Sequence, residues 1–399
     1  MKNLLFLTLF LTVLFTSCKK DNFEALVTST VTVEAKYPTT YGQPLASAAT
    51  VTMTNTTDGS VKTAVTNATG QAIFTEVLPG TYNITANKSL TAPEALPLTG
   101  INAAVTLNAS QSGAIVIGSQ NPKFQLQLRG GAVGGLVIKE VYYTGSKTAS
   151  GGTYFSDQFM EIYNNATDTL FLDGLFIADI FGNAGLINAT SLPTAFNTDK
   201  DNVYASSVWQ IPGTGKQYPL APGKSIVIAQ DGVNHKDATL NPNSPVDLSK
   251  ADWETYNERP DNRDADAPAV PNLVRTYFTG GFDWLVPVFG PGLIIFRGDF
   301  TKLEQVVIPG AAVTIPPRIK VPNTAIIDAF EALKDGNSVN FKRVTTALDA
   351  GFVFADDTYN MQSFRRKISA TINGRRVLQD TNNSTNDFEK IALPTPKGF

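Results

Sequence analysis

The chain has 399 residues, 32 basic and 35 acidic side chains, a net charge of −3 and 42% hydrophobic residues, enough for a sizeable core, which excludes general disorder. So balanced a charge also argues against a basic nucleic-acid binder. One Cys and one His exclude internal disulfides and cysteine-rich zinc sites. At about 150 residues per domain the length allows roughly two or three domains.

The first element is a leader. Leu4 to Phe15 is a run of mostly Leu and Phe behind Lys2. It is too short to cross a bilayer as a helix, which takes roughly 20 residues, and has the length of a signal-peptide core. Thr16-Ser17 precede Cys18, the only cysteine, and Lys19-Lys20-Asp21 follow it. This ending resembles a lipobox, and Cys18-Lys19-Lys20-Asp21 resembles the start of a mature lipoprotein from the Bacteroidetes group. The resemblance implies a signal peptide over 1–17, lipidation of Cys18 and a tether over 18–29. The acyl chains would be the membrane anchor, in the outer membrane and exposed at the cell surface.

Residues 30–112 read as one small β domain. Thr30 to Ala35 and Ala49 to Met53 alternate with period two, as half-buried strands do. Thr57-Asp58-Gly59-Ser60 is a turn signal, Asn67 to Gly70 is another, and Gln71 to Phe74 follows as a strand. Pro79-Gly80 opens a further strand in which Tyr82 is expected to face the core. With Gly42-Gln43-Pro44-Leu45 ahead of them, these pieces resemble the carboxypeptidase regulatory-like and Cna-B modules, which are transthyretin-like β-sandwiches. The resemblance implies a rigid spacer or presentation module. Residues 113–135, with Gly130-Gly131 and Gly134-Gly135, are expected to be a linker.

The remainder, 136–399, reads as a second β-sandwich. Ile138-Lys139-Glu140-Val141, Glu161-Ile162-Tyr163-Asn164, Leu172-Asp173-Gly174-Leu175 and Leu220-Ala221-Pro222-Gly223 appear in that order. They resemble a lamin-tail domain, an immunoglobulin-like sandwich, whose closing segment is similar to Gln379 to Phe388 with Pro394-Thr395-Pro396. The fold class expected is therefore mainly β: a transthyretin-like sandwich followed by a lamin-tail-like sandwich with a large insertion at about 231–292. Two short helices are expected, from Ser249 to Tyr256 behind a capping-box pattern and from Asn323 to Lys334, where Ile326, Ile327, Phe330 and Leu333 form a helical stripe. Asn373-Gly374 between β-prone runs signals a hairpin. As a whole the layout resembles an uncharacterised family of Bacteroidetes surface lipoproteins regarded as companions of TonB-dependent receptors.

Candidate chemistry is sparse. No nucleophile elbow, zinc-protease, phosphate-loop or dinucleotide motif is present, and His235 sits in a loop context expected to be solvated. Glu140, Glu161, Asp173 and Asp179 could serve a carboxylate-based hydrolase only if two of them converged. Asp247 to Asp266 carries seven acids against three bases. Asp261, Asp264 and Asp266 in that stretch read either as a calcium site or as a solvated acidic loop. Trp253, Tyr256 and Trp284 read either as an exposed platform for a glycan or protein ligand or as core. The function expected is non-enzymatic: a surface lipoprotein that binds a ligand or assists a TonB-dependent receptor in uptake, with the 231–292 insertion as its interaction surface. The alternatives are an adhesin or structural glycan- or protein-binding module, and the hydrolase.

Overall fold

The computed structural model describes residues 27–38, 41–99, 105–130, 135–166, 169–185, 192–284, 286–372 and 374–399. The leader over 1–17 and Cys18 lie outside them. The fold is mainly β, as expected.

Near the N-terminus, the alternation read from sequence is the packing pattern. Val31, Val33 and Ala35 of the Ser29–Lys36 strand are fully buried, while the residues between them are half-buried. This strand is the centre of a three-stranded sheet, flanked by Gln71–Val77 and Lys123–Gln127. A five-stranded sheet runs Val61–Val65, Thr50–Asn55, Gly80–Leu90, Val105–Val116, Arg129–Gly130. Side chains of both sheets share one core, including Val33, Met53, Phe74, Ile84, Leu107 and Leu126. Tyr82 is in it, 4% exposed, with its hydroxyl donating to the Leu78 carbonyl at 2.9 Å. Gly70 is indispensable to the turn before Gln71–Val77. Its φ is +70°, and a Cβ there would lie 2.9 Å from the Ala35 carbonyl oxygen.

The segment 113–135 is not merely a linker. Lys123–Gln127 pairs parallel with Ser29–Lys36, and Leu126 and Leu128 are buried in the first core. The apolar alternation of Phe124, Leu126 and Leu128 carries this strand; the neighbouring glycines dominated its reading as a junction.

Two larger sheets follow. One has the order Trp253–Glu254, Ser225–Ala229, Phe159–Asn164, Leu136–Tyr142, Ser363–Arg366, Phe388–Ile391. The other has the order Glu304–Val306, Arg318–Pro322, Asn202–Gln210, Phe176–Ile180, Gly292–Phe296, Ile326–Glu331, with Val274–Tyr277 also paired to Asn202–Gln210. Ile138, Ile162 and Ile228 from the first and Ile177, Trp209, Ile295 and Phe330 from the second meet in one cluster. The Ile368–Ile372 and Arg375–Leu378 hairpin forms as expected around Gly374.

Both expected helices are corrected. Ile326–Glu331 is a strand, preceded by only a short 3-10 turn at Asn323–Ala325. Apolar residues at 326, 327 and 330 fit a helical stripe, but Ile326 and Asp328 to Glu331 pair with Gly292–Phe296 and both faces are buried, so sheet packing overrides the period. Around Ser249, Asp247 accepts from the Ser249 backbone and hydroxyl, closing a turn, and the chain then enters the Trp253–Glu254 strand. Among the described residues the α-helices are Ala92–Thr99 and Ser384–Asp387.

The 231–292 segment is woven into the second sandwich. Trp253–Glu254 pairs parallel with Ser225–Ala229, and Val274–Tyr277 pairs antiparallel with Asn202–Gln210. It thus adds a strand to each sheet, which brings loops from both to one end of the sandwich.

Candidate cation site

At that end the Ser225–Ala229 strand runs out into Gln230 and Asp231. Ladder bonds hold the exit: the Gln230 N–H donates to the Gln158 carbonyl at 3.0 Å, and the Thr255 N–H donates to Ala229 at 3.1 Å. Glu254, 1% exposed, organises the adjoining loops. Its Oε2 accepts from the Gly232 N–H at 2.7 Å and its Oε1 from the Ala267 N–H at 2.8 Å. Asn257 ties in the remaining pieces. Its N–H donates to Asp264 Oδ2 at 2.8 Å, its Nδ2 to the Phe282 carbonyl at 3.0 Å, and its Oδ1 accepts from Arg275.

The result is a convergence of three carboxylates from three separate loops. One oxygen each from Asp231, Asp264 and Asp283 lies within 4.8 Å of the others. Asp264 and Asp283 are buried, at 3% and 4% exposure. Among the described residues no Lys or Arg nitrogen lies within 4.0 Å of any of the three. Burial, then the charge of Asp283, pushes Asp264 up to about 7. Burial likewise raises Asp283, and burial with the charges of Asp283 and Asp264 raises Asp231. Burial lifts Glu254 to about 7.

Of the residues singled out in the sequence, Asp264 alone belongs to this cluster. Asp261 is exposed and forms a two-pronged pair with Arg259, at 2.9 and 2.8 Å. Asp266 is exposed and accepts from Asn272 at 2.7 Å. The calcium grouping Asp261, Asp264 and Asp266 is therefore corrected: neighbours in sequence splay to different partners, and the carboxylates beside Asp264 come from Asp231 and Asp283. Asp231 and Asp283 were missed because only tertiary pairing brings them together. Asp231-Gly232 just past a strand was the one local signal for either.

The aromatic platform is also corrected. Trp253 and Trp284 are 5% and 6% exposed and lie in the core between the sheets. Trp253 packs edge-on against Tyr218 at 5.0 Å, and Trp284 lies 6.2 Å from Trp209 and donates to Asp179 at 2.8 Å. Tyr256 is half-buried. His235, expected in solvent, is fully buried, and burial holds it down near 4. Its Nδ1 is 2.7 Å from the Tyr154 hydroxyl and its Nε2 3.0 Å from the Asp231 carbonyl.

The four acids considered for hydrolysis are each engaged in the framework. Glu140 accepts from Ser363 and Thr395, Glu161 pairs with buried Lys139 at 2.7 Å, Asp173 accepts from three backbone N–H groups, and Asp179 accepts from Trp284 and Ser207.

No curated protein matches the chain in sequence. The crystal structure of a DUF4876 family protein from Bacteroides thetaiotaomicron is similar, with a TM-score of 0.59 and 28% identity, covering 92% of this chain and 96% of that one. The pilus adhesin RrgA from Streptococcus pneumoniae aligns over 55% of this chain and 24% of its own at 18% identity, with a TM-score of 0.14, too low to support a shared fold. Residues 221–395, which include all three converging aspartates, match the family model described as "Protein of unknown function (DUF4876)".

Proposed function

We propose that this chain is a non-enzymatic lipoprotein of the outer membrane, anchored at the cell surface through Cys18, that binds a ligand or assists a TonB-dependent receptor in uptake. The observation that carries this reading is the apolar run Leu4 to Phe15 closing on Thr16-Ser17-Cys18. The resemblance of the first sandwich to carboxypeptidase regulatory-like modules and of the second to lamin-tail domains supports a spacer beneath a displayed binding unit. The loops of 231–292 gathered at one end of the second sandwich are the binding face in this reading. One exposed stretch among them is 258–263, with Glu258, Asp261 and Arg263.

The first test is fractionation. Cys18→Ser should shift the protein from the membrane pellet to the soluble fraction, and retention in the pellet overturns the anchor. The second is capture of a β-barrel partner from solubilised membranes, with 258–263 replaced by a Gly/Ser linker that leaves Trp253 and Trp284 in place. Undiminished capture by this variant refutes the face. Capture of a matrix polymer without a barrel favours the adhesin alternative.

A further inference from the structure

We propose that Asp231, Asp264 and Asp283, with Gln230, form a calcium-binding site that clamps the loops at the end of the second sandwich. The convergence of three carboxylates within 4.8 Å is the first observation.

The second is independent of charge. Gln230 is 3% exposed, and its side-chain oxygen has no hydrogen-bond donor. Its amide nitrogen donates to Asp283 Oδ2, so the orphaned oxygen is held beside the cluster. Asp283 Oδ1 is equally buried and equally without a donor. Buried acceptors are almost always satisfied, and orphaned oxygens on an acidic cluster leave room for a partner that is not a side chain, which a cation supplies together with the missing charge.

The donor set selects the ion. Every available atom is an oxygen, which suits a hard cation and disfavours zinc or copper. The one nearby nitrogen ligand is committed, because both ring nitrogens of His235 already have partners. Glu254 is committed too, each of its oxygens holding a backbone N–H. Three carboxylates on three separate loops match the irregular, multi-oxygen shell of calcium better than the tight octahedron of magnesium. The ion would replace mutual repulsion among the three carboxylates with attraction. It would also cross-link the exit of the Ser225–Ala229 strand, the Asn257–Asp264 loop and the turn before Trp284.

The test uses the purified protein, stripped with chelator and titrated with calcium chloride in a calorimeter, with thermal unfolding followed in parallel. One site should saturate between micromolar and millimolar calcium, and calcium should raise the melting temperature. Asp283→Asn should weaken calcium binding at least tenfold while keeping its chelator-state melting temperature. Asp266→Asn, outside the cluster, should bind calcium as the wild type does. Absence of any calcium-dependent heat or thermal shift in the wild type overturns the proposal without reference to a variant. Equal binding by Asp283→Asn, or a magnesium affinity matching that of calcium, also overturns it. Fractionation of the Cys18→Ser protein reports on the anchor whichever way this titration falls.

Discussion

Arg366 lies between the two sheets of the second sandwich, 1% exposed. It stands on Ser363–Arg366 of one sheet, and its Nη2 is 2.6 Å from Asp328 Oδ2 on Ile326–Glu331 of the other. Nη1 reaches Asp380 at 3.3 Å and Asp387 at 3.4 Å, and Nε donates to the Ile138 carbonyl at 2.8 Å. Burial opposes its charge, but these carboxylates outweigh burial and hold the guanidinium above its ordinary value. Arg366→Met keeps much of the volume and removes the one cation paired, among the described residues, with Asp328 and Asp387, which are 4% and 1% exposed. Stranding buried carboxylates in this way costs about 3–5 kcal/mol.

The sign with pH follows. Burial already raises Asp328 and Asp387, and loss of the cation raises both further. A carboxylate with a folded value above its unfolded one contributes full stability only below the unfolded value, and that contribution is lost as pH rises through the folded one. The deficit of the variant should therefore be largest near pH 8 and shrink toward pH 5, by up to about 1.4 kcal/mol per pH unit for each carboxylate that takes up a proton. Urea unfolding followed by tryptophan fluorescence isolates the right unit, because Trp209, Trp253 and Trp284, all three tryptophans of the chain, lie in the second core. A deficit below about 1 kcal/mol at pH 8, or one of equal size at pH 5 and pH 8, would refute the reasoning.

Two further outcomes follow from packing. Trp284→Ala should cost about 3–5 kcal/mol by the same fluorescence assay, since it empties a core position and leaves Asp179 without its indole donor; a loss under about 1 kcal/mol would fit an exposed indole instead. A fragment spanning 27–130 should unfold cooperatively with a β-type circular dichroism spectrum, whereas one ending at 112 cuts the Val105–Val116 strand and discards Leu126 and Leu128. Equal melting temperatures for the two would remove Lys123–Gln127 from the first sandwich.

Strands with one buried and one solvated face were the easiest to read, except Lys123–Gln127, whose alternation is masked by the glycines that follow it. Val31, Val33 and Ala35 declare a strand because the residues between them are polar. Ile326–Glu331 does not, because it is buried on both faces, and Asp328 and Glu331 inside it disguise the run as an amphipathic helix. The candidate site was legible only through Asp264. Its partners Asp231 and Asp283 are local to nothing acidic, and the pairing of Trp253–Glu254 beside Ser225–Ala229 is what assembles them. Trp253 and Trp284 mark the same place for a different reason: a segment that adds strands to two sheets must also fill the space between them.

The brevity of Trp253–Glu254 limits how this end of the molecule can be approached. It is the outermost strand of its sheet, two residues long, and the chain beyond it turns away into loops that hold one another by hydrogen bonds. A long open edge offers a ladder of free N–H and C=O groups on which a foreign strand can grow. Here the edge is already occupied: the Glu254 N–H donates to the Pro271 carbonyl and its C=O accepts from the Leu273 N–H, at 2.9 Å each. A neighbour crowding against this end meets side chains and curled backbone, so the edge resists templated aggregation, and recognition here depends on surface shape and charge rather than on strand addition.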